Sequence, residues 1–264
     1  MDPYAWSWNP EALLLVPTMT TVYLLLARGL ATPAWRKACF LAAMAMLLAI
    51  TITPFETIAL KYLLSIHLLQ NVVLAEWAPL LVVLGVAPAL ARELARPGIV
   101  RAVTYPLVAL PLWLGTYAFW HIPSIYDAAL RHPHSLLHLE HATYFLSGVA
   151  MFWPVFQDVP RRLSSGGRAA YVFAGFVLGA PLGLVLALVP EPVYDFYVSA
   201  PERLWGLSAL ADQQLGGVTM ATEQAAVFFA IFAFWFFRFL AEQERDPDDE
   251  LEALRAVDPS PPRT

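Results

Sequence analysis

The sequence contains one cysteine, Cys39, among its 264 residues, and only 14% of those residues are charged. A single cysteine excludes a disulfide or a CxxC redox pair within one chain. The sequence also has no GxGxxG or GxxxxGK loop of the kind that cradles phosphate groups. We find no nucleophile and base pair that would indicate an enzyme. These absences argue against a nucleotide-binding, thiol-redox or catalytic protein, and we expect no nucleic-acid partner.

Long hydrophobic runs dominate what is present. Hydrophobic residues make up 59% of the chain and the mean hydropathy is +0.58, values typical of a polytopic membrane protein. A helix needs about 20 mostly apolar residues to cross a bilayer. Seven stretches qualify: 12–28, 38–54, 63–87, 104–121, 135–156, 169–189 and 217–240. The sequence therefore predicts an all-α transmembrane bundle of seven helices in one domain, residues 1–240.

The basic residues predict how the bundle is oriented. Ten of them share one side: Arg28, Arg36, Lys37, Arg92, Arg96, Arg101, Arg161, Arg162, Arg168 and Arg238. The opposite side has only Lys61, Arg131 and Arg203. The positive-inside rule then places the N-terminus outside and the C-terminus in the cytoplasm. The first span has no basic leader, so we expect it to be retained. Residues 241–264 are acidic and rich in proline, which predicts a disordered cytoplasmic tail.

All six histidines fall at the predicted outer ends of the spans. His134, His138 and His141 follow the spacing i, i+4, i+7, which places them on one face of a helix. His67 and His121 lie at a similar depth on two other spans. Imidazole is the commonest metal ligand in proteins and is rare inside membranes. We interpret His134 and the neighbouring His132 as interfacial residues, and His67, His121, His138 and His141 as candidate metal ligands.

Other polar side chains accompany these histidines. Gln70 and Asn71 share the stripe of His67 and are expected to form hydrogen bonds between helices. Asp127 and Asp212 could orient a ligating histidine, and Met220 could add a thioether ligand. Two carboxyl groups, Glu76 and Glu223, lie near the middle of their spans, where an ionisable residue is a functional candidate. Helical spacing places Glu76 opposite His67, so we expect it to face a different neighbour.

Several of these motifs, taken in order, resemble one family. They are His67-Leu-Leu-Gln70, Trp120-His121-Ile-Pro123-Ser-Ile-Tyr126-Asp127, His138-Leu-Glu140-His141, Phe152-Trp153-Pro154 and Asp212-Gln213-Gln214 with Met220. The ordered set resembles the seven-span CtaG family of bacterial cytochrome c oxidase assembly proteins over about residues 60–245. The resemblance implies a multi-pass protein of the bacterial plasma membrane that assists haem–copper oxidase assembly, with oxidase subunits or other assembly factors as partners. Many relatives have histidine where this chain has Asn71, so the resemblance implies that this chain lacks one possible ligand.

Four functions remain open at this point. The first is a metallochaperone that binds copper through His67, His121, His138 and His141, with Met220, for delivery or insertion. The second is a b-type cytochrome whose histidines ligate haem from facing helices. The third is an ion or proton carrier that uses Glu76, Glu223 and the histidines. The fourth is a scaffold for oxidase subunits that binds no metal.

Overall fold

The computed structural model describes residues 2–244, and every regular element in that range is helical. The helices are α1 (Pro10–Arg28), α2 (Ala34–Ile52), α3 (Pro54–Lys61), α4 (Leu64–Val72), α5 (Ala78–Gly85), α6 (Pro88–Leu94), α7 (Gly98–Val103), α8 (Pro106–Trp120), α9 (Pro123–Arg131), α10 (His138–Phe156), α11 (Ser165–Leu188), α12 (Asp195–Val198) and α13 (Ala209–Gln243). Two π-helical turns, Val73–Trp77 and Pro133–Leu137, join α4 to α5 and lead into α10. The all-α prediction is confirmed over this range. Residues 245–264 of the predicted tail lie outside it.

Five helices are long and apolar enough to cross a membrane. They are Pro10–Arg28, Ala34–Ile52, Leu64–Gly85, Ser165–Leu188 and Ala209–Gln243. The fourth predicted span corresponds to α8, an apolar helix of only 15 residues, which is about 22 Å long at 1.5 Å per residue. The fifth corresponds to α10 and is not one of the five. The chain is a multi-pass membrane protein, while seven crossings and their orientation remain predictions.

Proline and short polar residues start most of these helices. Proline opens α1, α3, α6, α8 and α9, where its missing N–H would have had no helical partner. Asn9, Ser164 and Ser208 cap α1, α11 and α13, each accepting a hydrogen bond from a backbone N–H in the first turn at 3.1 Å. The starts of these helices are therefore well defined.

The helical rod Leu64–Gly85 lies at the centre of the bundle. In its most apolar stretch, 72% of the residues are buried inside the protein, whereas the corresponding share is 17% for α1 and for α13. It packs against α2, α10 and α13. Because the rod is enclosed on several sides, its polar side chains meet protein rather than lipid. This is the condition under which buried polar groups are tolerated in a membrane.

A glycine allows α10 to approach this central rod closely. A Cβ on Gly148 would lie within van der Waals distance of the Ala75 carbonyl oxygen and 2.7 Å from Cγ of Pro79. Ala75 belongs to the π-helical turn Val73–Trp77. Small residues at helix contacts are the usual means of close packing in membranes. This contact fixes α10, which carries His138 and His141, against the π-helical turn and α5.

Candidate metal site

His67 lies on α4, one turn below its start, and is fully buried. Its Nδ1 is 3.0 Å from the hydroxyl of Tyr197 and 2.9 Å from the hydroxyl of Tyr126. The Tyr197 hydroxyl donates its own proton to the Ala59 carbonyl at 2.5 Å. Tyr197 can therefore only accept at His67, which places the imidazole proton on Nδ1. The Nε2 atom then carries the lone pair, and it is buried with no hydrogen-bond partner.

His121 follows α8 directly and has the same tautomer. Its Nδ1 is 2.9 Å from the backbone carbonyl of Tyr117, and a carbonyl can only accept. Its Nε2 is also buried without a partner. Tyr117 stacks on the His121 ring with centroids 5.8 Å apart, and the Tyr144 hydroxyl lies 3.2 Å from Nδ1. An N–H donated to an oxygen from one ring nitrogen, leaving the other free, is the usual arrangement of a ligating histidine.

His141 is half-buried, but its Nε2 is buried, and with His67 and His121 it completes what we call the buried group. Its ring meets that of His67 edge-on, with centroids 6.2 Å apart, and its Nε2 is a third buried nitrogen without a partner. His121 and His141 are both within electrostatic range of His67. The ligand atoms of these three residues are not all within 4.8 Å of one another. Nitrogens that share one ion lie about 3.3 Å apart, so coordination would draw the rings inward.

Asp212 positions His67 indirectly. From the start of α13, its carboxylate accepts the N–H of Leu64 at 2.7 Å and that of Ser65 at 3.0 Å. No residue of α4 caps its start with a side chain, and Asp212 on α13 supplies that cap instead. Asp212 is thus bonded to the backbone just above His67 rather than to an imidazole. Its hydrogen bonds therefore differ from the expectation that Asp212 orients a histidine directly.

Asp127 also acts through the backbone. Its carboxylate accepts the N–H of Phe196 at 3.1 Å and pairs with Arg131 at 3.5 Å. The Phe196 contact holds α12, the short helix that carries Tyr197. Tyr194, from the same segment, donates to the His121 carbonyl at 3.2 Å. The loop between α11 and α13 therefore supplies the hydroxyl groups around the site, and Asp127 ties that loop to α9.

Gln70 and Asn71 form interhelical hydrogen bonds, as the sequence predicted. Gln70 donates to the Ile50 carbonyl at 2.9 Å and to the Glu56 carboxylate. Asn71 donates to Glu140 at 3.1 Å. Both amides therefore satisfy buried carboxyl groups rather than the histidines. Their remaining carbonyl oxygens, and one oxygen of Glu140, are buried without a partner.

Glu76 and Glu223 form a carboxyl pair deeper in the bundle. Glu76 lies on the π-helical turn and accepts from the Tyr117 hydroxyl at 2.9 Å and from Gln224 at 3.1 Å. Its carboxyl group lies near that of Glu223, which accepts from the indole N–H of Trp77. The sequence predicted that Glu76 faces a neighbour other than the histidines, and that neighbour is Glu223. The pair connects to the histidines through Tyr117, whose ring stacks on His121.

The remaining predicted residues lie apart from the three buried imidazoles. His138 groups with His134, their ring centroids 6.0 Å apart; His134 is exposed and His138 is half-buried. His132 is exposed and bonds to the Ala128 carbonyl through Nδ1. Met220 is buried where α13 packs on α11, since a Cβ on Gly183 would lie 3.2 Å from Met220 Cβ. The six histidines thus divide into three whose Nε2 atoms are buried without a partner, His67, His121 and His141, and three outside that group, His132, His134 and His138.

The sequence reading missed the tyrosines and one carboxyl group. It gave these side chains no role, whereas Tyr117, Tyr126, Tyr144 and Tyr197 are buried around the imidazoles. Glu140 is also fully buried, between Asn71 and the histidines of α10. A signal was present, because these tyrosines lie within a few residues of the histidines or of the conspicuous acidic residues. Helix spacing and depth do not indicate which hydroxyl groups will lie next to an imidazole.

These features define a class: a helical membrane protein with three histidines near one end of the bundle whose Nε2 atoms are buried without a hydrogen-bond partner. A profile of the cytochrome c oxidase caa3 assembly factor family, Caa3_CtaG, matches residues 19–242. The chain belongs to this family, which confirms the resemblance inferred from its motifs. No curated protein and no solved structure matches it.

Proposed function

We propose that this assembly factor binds copper through His67, His121 and His141 and supplies it to the oxidase. The observation that carries the proposal is the shared tautomer of His67 and His121. In each, Nδ1 donates to an oxygen and Nε2 holds a buried lone pair without a partner. An unpaired buried polar atom costs roughly 1–3 kcal/mol. A metal ion would satisfy all three nitrogens at once.

The ligand set and its burial favour Cu(I) over a divalent ion. Imidazole suits copper, and the three nitrogens are neutral. A bound Cu(I) would leave one positive charge in a low-dielectric interior, whereas a divalent ion would leave two. The cost of burying charge rises steeply with its magnitude. The proposed copper site does not include His138 or Met220. His138 lies beside His134, and Met220 packs against α11.

The depth of the site also supports a role in transfer rather than permanent storage. The three histidines come from α4, α10 and the end of α8, all near the same end of the bundle. A partner subunit docking at that end would approach the ion without crossing the bilayer. The tyrosine-bearing loop 189–208 covers this end, so its displacement would open the site.

Cu(I) binding to the full-length protein in detergent tests the proposal. Under reducing conditions with a competing chromophoric chelator, we expect the wild type to retain one ion that the double variant His67→Ala/His121→Ala loses. The matched control is His132→Ala, which removes an exposed histidine. A visible spectrum of the same preparation detects haem through its Soret band.

Equal Cu(I) binding in the wild type and the double variant would overturn the proposed site, provided both unfold at similar temperatures. If the double variant is unstable, Tyr197→Phe keeps the imidazoles and removes only one hydroxyl. A Soret band that disappears with His67 would favour the haem alternative instead.

A further inference from the structure

Three side chains meet at the surface outside the buried group. Ligand atoms of Glu11, His134 and His138 all lie within 4.8 Å of one another. Glu11 and His134 are exposed and His138 is half-buried. Among residues 2–244 this is the group of three or more histidine, cysteine or acidic side chains that is close enough to hold one ion. The buried histidines do not meet that distance in the same structure.

The N-terminal segment fixes the position of Glu11. Asn9 caps α1 two residues earlier, and Ser7 donates its N–H to the Ile52 carbonyl at 3.0 Å. Thr57 donates to the Ala5 carbonyl at 2.8 Å. These bonds attach the segment before α1 to the ends of α2 and α3. Glu11 itself lies in the first turn of α1.

The π-helical turn Pro133–Leu137 arranges the two histidines. It begins one residue after α9 and runs into α10, so His134 lies within it and His138 starts the next helix. Their rings are nearly perpendicular, at 72°, with centroids 6.0 Å apart. Side chains four residues apart on one helical face can bind the same ion. Exposed side chains change rotamer in picoseconds to nanoseconds, so closing the remaining gap requires no change of fold.

The chemistry of this cluster differs from that of the buried group. It combines one anionic oxygen with two imidazole nitrogens and is open to water. Two histidines and a glutamate with open positions suit divalent borderline ions. Among these, Cu²⁺ binds most tightly in the Irving–Williams order. Softer Cu(I) gains little from a carboxylate.

We propose that Glu11, His134 and His138 form a second, solvent-accessible site for a divalent transition-metal ion, which Cu²⁺ occupies most tightly. The site stands on its own residues and does not depend on copper binding at the buried group. Glu11 precedes the segment matched by the family profile, residues 19–242, so the site goes beyond what that match covers. His138 and His141 are three residues apart on α10, which places this surface site next to the buried histidines.

Electron paramagnetic resonance of the full-length protein with added Cu²⁺ and no reductant tests the inference. We expect one bound Cu²⁺ whose spectrum carries hyperfine splitting from two nitrogens. His134→Ala/His138→Ala should abolish that signal. Glu11→Gln should weaken Cu²⁺ binding at least as much as loss of an outer-shell partner does, roughly 10–100-fold. His132→Ala is the matched control, since it removes a neighbouring exposed imidazole from outside the cluster.

Two results would overturn the inference. One is an unchanged Cu²⁺ affinity in His134→Ala/His138→Ala. The other is a signal that survives in that variant but disappears in His67→Ala/His121→Ala, which would assign Cu²⁺ to the buried group. Because the cluster lies on the surface, its variants are expected to fold. Cu(I) binding under reducing conditions is scored separately, so either site can fail without the other.

Discussion

Asp212 on α13 accepts the backbone N–H of Leu64 on α4 at 2.7 Å, across 148 residues of sequence. The bond joins the last long helix to the start of the central rod. Ser65 donates to the other oxygen of the same carboxylate. The position of His67, one turn further along α4, therefore depends on the start of α13.

Removing this cap should destabilise the protein and disturb the site. Asp212→Ala leaves two buried N–H groups without an acceptor, and each costs roughly 1–3 kcal/mol. We expect a lower unfolding temperature in detergent together with weaker Cu(I) binding. Asp195→Ala is the matched control, because Asp195 is exposed at the start of α12. Equal unfolding temperatures in the two variants would contradict the capping role.

The Tyr197 hydroxyl should set the copper affinity without forming a ligand bond. Tyr197→Phe removes the acceptor that fixes the proton of His67 on Nδ1. Loss of such a partner typically costs 10–100-fold in metal affinity, so we expect a decrease of about that size. Competition with a Cu(I) chelator measures it.

Tyr171→Phe provides the comparison for Tyr197→Phe. The Tyr171 hydroxyl is buried with no hydrogen-bond partner, so its removal should leave copper binding unchanged. If both variants lose Cu(I) affinity equally, the loss in Tyr197→Phe reflects a general change in packing and not the hydrogen bond to His67.

The carboxyl pair should not be required for copper binding. Glu76→Gln keeps an oxygen that can accept from Tyr117 and Gln224, so the local hydrogen bonds persist. We expect normal Cu(I) stoichiometry in Glu76→Gln and in Glu223→Gln. Ion uptake into liposomes tests the carrier alternative, which requires transport by the wild type and its loss in both variants.

Close packing at Gly148 should be intolerant of a methyl group. Gly148→Ala would place Cβ against the Ala75 carbonyl and Pro79, and overpacking typically costs 1–3 kcal/mol. Gly115→Ala on α8 is the matched control, since a Cβ there has no other atom within 4 Å. Thermal unfolding in detergent should separate the two variants clearly. A neutral Gly148→Ala would mean that α10 can move away from the central rod.

Glu56 should make stability depend on pH. Burial raises the pKa of Glu56 on α3 to about 7, while hydrogen bonds from Gln70 and Asn9 oppose the shift. The folded state therefore binds a proton more tightly than the unfolded chain. The contribution of Glu56 to the free energy of unfolding is therefore complete below the pKa that Glu56 has in the unfolded chain. It is lost as pH rises through the folded-state pKa of about 7. Glu56→Gln should flatten the unfolding temperature over this range, and an unchanged pH profile would contradict the assignment.

Much of the fold follows from the sequence because membrane helices are encoded by composition. The helices, and the depth of His67, His121 and His141, follow from apolar length and from counting turns. The hydrogen bonds that prepare these histidines do not follow. Tyr197 and Ala59 are 138 residues apart, and nothing local to either indicates their bond. The sequence also could not separate His138 from His141, since the separation depends on Glu11, which belongs to another helix.

The position of Glu76 shows a different limit of sequence reasoning. Counting 100° per residue places it opposite His67, but the calculation assumes a regular α-helix. The π-helical turn Val73–Trp77 changes the rotation between the two residues. Its neighbours Tyr117 and Gln224 come from α8 and α13, and only the packed bundle identifies them.

That π-helical turn also affects how relatives should be compared. Such a turn behaves as one extra residue within an α-helix, so the two halves of the rod Leu64–Gly85 are out of phase. A relative whose helix is regular there would align correctly on both halves only with a one-residue gap inside the span. Alignments that forbid gaps within membrane helices would match either His67 or Gly85 to the wrong position.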